Sequence, residues 1–194
     1  MFMYKLGRGA VKTLLTPFYR FEVIGYENIP KEGGVLICSN HISNFDPPVV
    51  GITAAPRQVH FMAKAELFKV PVLGPLVRSF GTFPVKRGMS DREALRVALK
   101  ILKDGKILGL FPEGTRSVNG ELGKGLSGAG FFALRSNAAV VPCAIIGPYK
   151  AFSRLKVVYG KPINMEELRE QKASADVVTE VIMAEIKNLI EKNK

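Results

Sequence analysis

The stretch Val35-Leu-Ile-Cys-Ser-Asn-His-Ile-Ser-Asn-Phe-Asp-Pro-Pro48 decides the fold. It opens with an uncharged apolar run, Val35–Ser39, directly after the turn Lys31-Glu-Gly-Gly34. A short run without polar alternation reads as a strand buried on both faces, as parallel sheets require. Pro47 and Pro48 then lead into a helix over Val49–Ala55, because the fixed φ of proline suits a first helical turn. Asn40, His41 and Asp46 lie between the two, at the exit of the strand.

The same alternation continues along the chain. Val59–Ala63, Thr82–Lys86, Ile107–Phe111, Val140–Ile146 and Leu155–Tyr159 read as further strands. Pro84 marks Thr82–Lys86 as an edge strand, since proline cannot donate a ladder hydrogen bond. Ser90–Lys103 reads as a helix, with Ser90 as cap, Glu93 completing a capping box and Gly105 ending it. Leu126–Ser136 reads as another. A long charged helix opens at Asn164 or Met165, with Val177, Val181, Ile182, Ile186 and Leu189 facing inward. Strands alternating with helices predict a single-domain α/β sandwich with a mostly parallel central sheet. Residues 1–20 are expected to form an amphipathic segment ahead of the main domain at 21–194.

Strand exits are where such folds collect functional groups. At the first exit, His41 can act as a base near neutral pH, and Asp46 can orient its ring if the loop curls back. Asp46 equally suits a helix N-cap ahead of Pro47, and His41 an ordinary strand end. At a second, Lys86 and Arg87 offer two cations to a phosphate, or simply a solvated edge. At a third, Phe111-Pro-Glu-Gly-Thr-Arg-Ser117 supplies Glu113, Gly114, Thr115 and Arg116. Gly114 allows a tight turn and Arg116 a further guanidinium, with Glu113 able to hold an arginine in place. An ordinary strand-to-loop turn is the alternative. Val141 and Pro142 carry no chemistry; they fit either an acyl-chain wall or a core strand.

These four blocks, in this order, resemble the glycerolipid acyltransferase family, and within it the 1-acylglycerol-3-phosphate acyltransferases. His41 through Asp46 matches the family's His-x4-Asp block, and 111–117 its Phe-Pro-Glu-Gly-Thr-Arg-Ser block. Gly81–Arg87 is similar to its Gly-x-x-Phe/Ile-x-Arg block, with Pro84 a minor departure. Val141-Pro142 matches the last. The resemblance implies acyl transfer from an acyl-CoA or acyl-carrier-protein thioester to the free hydroxyl of a lysophospholipid, most simply lysophosphatidic acid. Another lysophospholipid or an amino-acid lipid is the alternative acceptor. His41 would be the base and Asp46 its orienting partner, with no acyl-enzyme. Arg87 and Arg116, with Lys86, would hold the acceptor phosphate; Glu113, Gly114 and Thr115 would shape that pocket. No cofactor or metal is implied. Lys124 is a further cation near the third block.

Composition agrees with such a substrate. Hydrophobic residues make up 47% of the 194, enough for one buried core, and the formal net charge is +11. Residues 1–160 carry 22 Lys+Arg against 10 Asp+Glu, so the positive charge sits on the body of the chain. An anionic partner is expected. The interleaved aromatic platforms of single-strand nucleic-acid binders are missing, which leaves an anionic membrane surface. No run reaches the ~18 apolar residues of a membrane span, and no cleavable leader is evident. The expected location is therefore the cytoplasmic face of a membrane. In residues 2–15, Lys5, Arg8 and Lys12 share one side of a helix, while Phe2, Met3, Leu6 and Leu14 fall opposite. The alternative is a helix docked on the protein's own core. Leu67–Arg78, apolar but broken by Pro71, Gly74 and Pro75, is a second candidate for membrane contact, for an acyl groove or for a plain buried loop.

Overall fold

Each apolar run becomes a strand because it has two faces to bury. In the computed structural model, which describes residues 2–54, 56–86, 91–117 and 119–194, and not the side chains of Phe2, Met3, Lys5, Leu6 and Lys12, seven strands form one sheet. They are β1 (Tyr19–Ile24), β2 (Val35–Ser39), β3 (Val59–Lys64), β4 (Phe83–Val85), β5 (Ile107–Leu110), β6 (Ala139–Ile146) and β7 (Ser153–Tyr159). Their order across the sheet is β1-β7-β6-β2-β5-β3-β4. β6, β2, β5, β3 and β4 run parallel to one another. β7 is antiparallel to β6, and β1 is parallel to β7, so this outer pair runs the other way.

Alternate residues of β2 enter opposite layers, as the strand period demands. Val35 and Ile37 join one core with Leu15, Val49, Val50 and Tyr159. Leu36 and Cys38 join the other with Ala98, Phe132 and Ile182. The first layer is covered by α1 (Phe2–Leu15) and α2 (Asp46–Thr53). The second is covered by α4 (Arg92–Lys103), α5 (Gly128–Arg135) and α7 (Ala175–Asn193). A short α3 (Leu73–Ser79) follows a 3-10 turn at Ala65–Lys69, and α6 (Glu166–Glu170) precedes α7.

The expected sandwich with a mostly parallel sheet is present, with several local differences. The strand β1 has no counterpart among the expected elements and begins at Tyr19, ahead of the boundary drawn at residue 21. Ser90 lies outside the described residues, and the cap of α4 is Asp91, which accepts from Ala94 N at 3.0 Å. The long C-terminal helix is two helices. Lys172 adopts φ 51 between them, and Ser174 caps the second by accepting from Val177 N. Val177, expected to face inward, is exposed; Val178, Thr179, Ile182, Met183 and Ile186 form the buried face.

Helix α1 rests partly on the body. Tyr4 is buried and donates to Gly51 O in α2, and Leu15 enters the core. No helix among the described residues is long and apolar enough to cross a membrane. At the N-terminal ends of β2 and β5, Arg57 donates to the carbonyls of Pro30, Gly33 and Gly105, tying two separate turns together. The C-terminal ends of β2 to β6 lie at the opposite rim.

A candidate active site at the rim of the sheet

The exit of β2 is fixed before any functional group appears. Asn40 is buried and exchanges two hydrogen bonds with Ile145, giving Nδ2–H to its carbonyl at 2.9 Å and accepting its N–H at 2.7 Å. The side chain thus adds a rung between β2 and β6 beyond the last backbone pairing. The chain then turns back on itself because Asp46 draws it in. Asp46 is fully buried, and a buried carboxylate must be satisfied by donors. Its Oδ2 accepts from Ile42 N at 2.6 Å, Ser43 N at 2.7 Å and His41 Nδ1 at 2.7 Å. Its Oδ1 accepts from the Tyr149 hydroxyl at 2.6 Å.

Asp46 is therefore not the helix cap that its place before Pro47 suggests. Phe45 occupies the cap position of α2 with no side-chain cap bond, and the carboxylate points back into the loop. The two prolines make this possible, since they leave the first turn with fewer N–H groups to satisfy.

His41 is held on every side but one. Its Nδ1 faces Asp46, and its ring stacks on Phe111 at 4.2 Å and 20°. Its backbone N–H donates to Glu113 Oε1 at 2.9 Å, and its carbonyl accepts from Ser117 N at 2.8 Å. With Nδ1–H given to a carboxylate, the neutral ring carries its lone pair on Nε2. The side chain is only 14% exposed, so the ring is largely enclosed.

The loop after β5 is built around Glu113. Its second oxygen accepts from Gly123 N at 2.8 Å, so both oxygens serve backbone amides. Among the described residues it pairs with no arginine, although the sequence offered it as a partner for one. Gly114 adopts φ 67, and a Cβ there would run into the Leu126 side chain. Thr115 and Arg116 are exposed beyond it. The Arg116 guanidinium has no hydrogen bond or ion pair among the described residues. Lys86, also exposed, leaves β4 on the same rim, and its N–H is held by Asp91 Oδ2 at 2.9 Å. Arg87 lies outside the described residues. Lys124 is exposed.

Two hollows adjoin the neighbours of His41, one touching Asn40 and Ile42 and the other Phe111, and His41 itself lines neither. A groove of about 250 Å³ is lined almost wholly by apolar groups, among them Met62, Val85, Leu95, Leu110, Phe111 and Phe132. A cleft of about 320 Å³ is lined by Asn40, Ser43, Gly147, Tyr149 and Lys194 among others. Val141 and Pro142 line neither; both are buried in β6, so the core-strand alternative describes them. An apolar wall comes instead from β3, β4, α4, β5 and α5.

Sequence reasoning passed over Tyr149 and gave Phe111 no task. Tyr149 has a signal in hindsight, as the first aromatic after the β6 exit turn Gly147-Pro148. Burial and then the adjoining Asp46 charge push its hydroxyl well above the usual tyrosine range, so it stays a donor. Burial also pushes the Cys143 thiol up to about 12 and raises Cys38. Among the described residues, no three His, Cys, Asp or Glu side chains converge as a metal site would need.

A family model described as Acyltransferase matches residues 20–146. The 1-acyl-sn-glycerol-3-phosphate acyltransferase of Bacillus subtilis (strain 168) is 30% identical over 194 residues, covering 96% of both chains. That of Borreliella burgdorferi is 33% identical over 125 residues, covering 63% of this chain and 50% of that protein. Among solved structures, the 1-acyl-sn-glycerophosphate acyltransferase PlsC from Thermotoga maritima superposes with a TM-score of 0.75 at 25% identity, over 99% of this chain and 78% of that one. With a model spanning most of the sheet and a relative aligned from end to end, the chain belongs to the acyltransferase family.

Proposed function

We propose that the chain moves a fatty acyl group from acyl-CoA or acyl-carrier protein to the sn-2 hydroxyl of 1-acyl-glycerol-3-phosphate, giving phosphatidic acid. The observation that carries this reading is the His41–Asp46 pair, its ring stacked on Phe111 of the apolar groove, with Arg116 on the same rim and unpaired among the described residues. Relatives named for this activity supply the acceptor.

His41 Nε2 takes the proton of the acceptor hydroxyl as its oxygen attacks the thioester carbonyl. Asp46 orients the ring and stabilises the cation that forms. The tetrahedral intermediate then expels the thiolate, which takes the proton back from Nε2. An ester bond forms and a C–S bond breaks, with no acyl-enzyme and no metal or cofactor. A thioester is already activated, so positioning and proton transfer supply most of what is needed. Arg116, with Lys86 and Arg87, holds the phosphate by charge-assisted hydrogen bonds. The groove floored by Leu110 and Phe111 takes an acyl chain. The acceptor's tail lies in lipid, so the enzyme works peripherally at an anionic membrane surface, with Arg8 and the exposed Leu14 of α1 turned toward it.

The test is thiol release from an acyl thioester in the presence of lysophosphatidic acid, followed with purified protein across a panel of acceptors. His41→Ala is expected to abolish turnover while keeping the wild-type circular dichroism. Turnover that survives this change would overturn the mechanism. A faster reaction with another lysophospholipid or an amino-acid lipid would reassign the acceptor.

A further inference from the structure

Exposed apolar side chains are unevenly placed. Of the fifteen large ones exposed among the described residues, five fall within ten residues of each other: Leu67, Val70, Val72, Leu73 and Leu76. Single exposed apolar residues are ordinary, but a contiguous group of this kind marks a contact surface. The segment is not loose chain. Gly74 is buried with its N–H bonded to Val70 O at 2.8 Å, and a Cβ there would strike the Phe68 carbonyl. Arg78 lies over the Phe68 ring at 5.2 Å. The result is a fixed knuckle that turns its apolar side chains outward.

Val72 stands at its tip. It is 83% exposed and adopts φ 67, a backbone region that β-branched residues rarely enter. The protein gains no packing from that side chain in return for the strain. The knuckle starts at the C-terminal end of β3, the rim that carries His41 and Arg116, and α3 then takes the chain back toward the start of β4, which runs parallel to β3. Helix α1 adjoins it, with Tyr4 edge-on to Phe80 at 6.5 Å. Its exposed charges are Lys64, Lys69 and Arg78 against Glu66 alone, which pairs loosely with Lys64 at 3.8 Å.

We infer that Leu67–Leu76 is a lipid-inserting knuckle that seats the rim of the active site on an anionic bilayer. An apolar tip ringed by cations matches the two layers of such a surface, acyl chains below and anionic headgroups above. The proline pair Pro71 and Pro75 keeps the tip shaped before contact, so little is lost in ordering it on binding. This rests on the lipid acceptor proposed above, and adds where the protein enters the membrane. It also places the groove mouth near the depth at which a lysophospholipid presents its hydroxyl.

The chain has no tryptophan, so one introduced indole reports alone. The Val72→Trp variant is mixed with vesicles of phosphatidylglycerol and phosphatidylcholine. Its emission is expected to shift to the blue and to be quenched by lipids brominated in their acyl chains. Val72→Asp combined with Leu76→Asp is expected to lower vesicle partition by about tenfold or more, since each charge must leave the acyl layer. Turnover of acceptor embedded in vesicles should fall with it, while a short-chain acceptor in solution is turned over within about twofold of wild type. An unchanged emission spectrum with anionic vesicles overturns the inference. So does an indole that responds to protein concentration and not to lipid, which assigns the surface to a second copy of the chain. Equal loss of turnover on soluble and embedded acceptor overturns it too. Should no acceptor be acylated while the indole still enters the bilayer, the proposed reaction fails and the knuckle stands.

Discussion

Tyr149 gives its hydroxyl hydrogen to Asp46 Oδ1 at 2.6 Å, on the carboxylate oxygen that His41 does not use. Its ring is wedged edge-on to Tyr19 at 5.6 Å and beside Phe45 at 6.1 Å. Tyr149→Phe keeps this packing and removes only the donor. A hydrogen bond to a buried charged group contributes about 1.5–3 kcal/mol, so kcat should fall by about ten- to a hundredfold. The circular dichroism should not change. Because the hydroxyl is pushed well above the usual range, wild type and variant should show the same phenolate absorbance up to pH 10 in the folded state. Steady-state kinetics and a spectrophotometric titration check the two statements separately.

Glu113 tests the tie between the two loops. Its oxygens accept from His41 N and Gly123 N. Glu113→Gln turns one of these acceptors into an amide donor facing a backbone N–H. The expected cost is about 1–3 kcal/mol of stability, or several degrees of melting temperature for a chain of this size. Calorimetry measures it. Turnover should fall as well, because the same bond sets the backbone of His41.

Arg116 is exposed and unpaired, so its removal disturbs no internal contact among the described residues. Arg116→Ala should raise the KM for a phosphate-bearing acceptor by about tenfold, the worth of one charge-assisted pair partly open to solvent. The KM for the thioester should be unaffected, and so should the melting temperature. A kinetic matrix varying both substrates separates these.

Asp91 gives the fold a defined acid response. Its hydrogen bonds from Ala94 N and Lys86 N, with nearby Lys86 adding charge, hold its carboxyl below the ordinary value of 3.8. A folded-state pKa below the unfolded one adds stability that is complete above 3.8 and lost as the pH falls through the folded value. Asp91→Ala should therefore melt below wild type at neutral pH, and the gap should narrow on acidification through that window. Thermal melts at a series of pH values provide the check.

The central sheet was legible because Val35–Ser39, Ile107–Leu110 and Val140–Ile145 have almost no polar atoms to place outside it. The four-block pattern pointed to His41 and Asp46, and the fold brings these two side chains together. Partnerships were harder to read. Glu113 looks like an ion-pair partner for an arginine, yet two amides remote in sequence from each other claim both oxygens. Asp46 looks like a cap, yet four donors from two loops outbid the helix. The β1 strand escaped notice because half its side chains are exposed at the sheet edge and show no apolar run. The break before α7 was masked by helix-forming residues on both sides of Lys172, whose positive φ nothing in its chemistry announces.

The Arg57 clasp has a bearing on how such a protein can change over generations. It binds the turns before β2 and β5 at the pole farthest from His41. Cohesion of the scaffold and choice of substrate are thereby kept in separate hands. Loops at the catalytic pole can drift, lengthen or trade residues while the sheet stays registered from below. Descendants of one ancestral chain could in this way acquire new acceptors without first having to reinvent a fold.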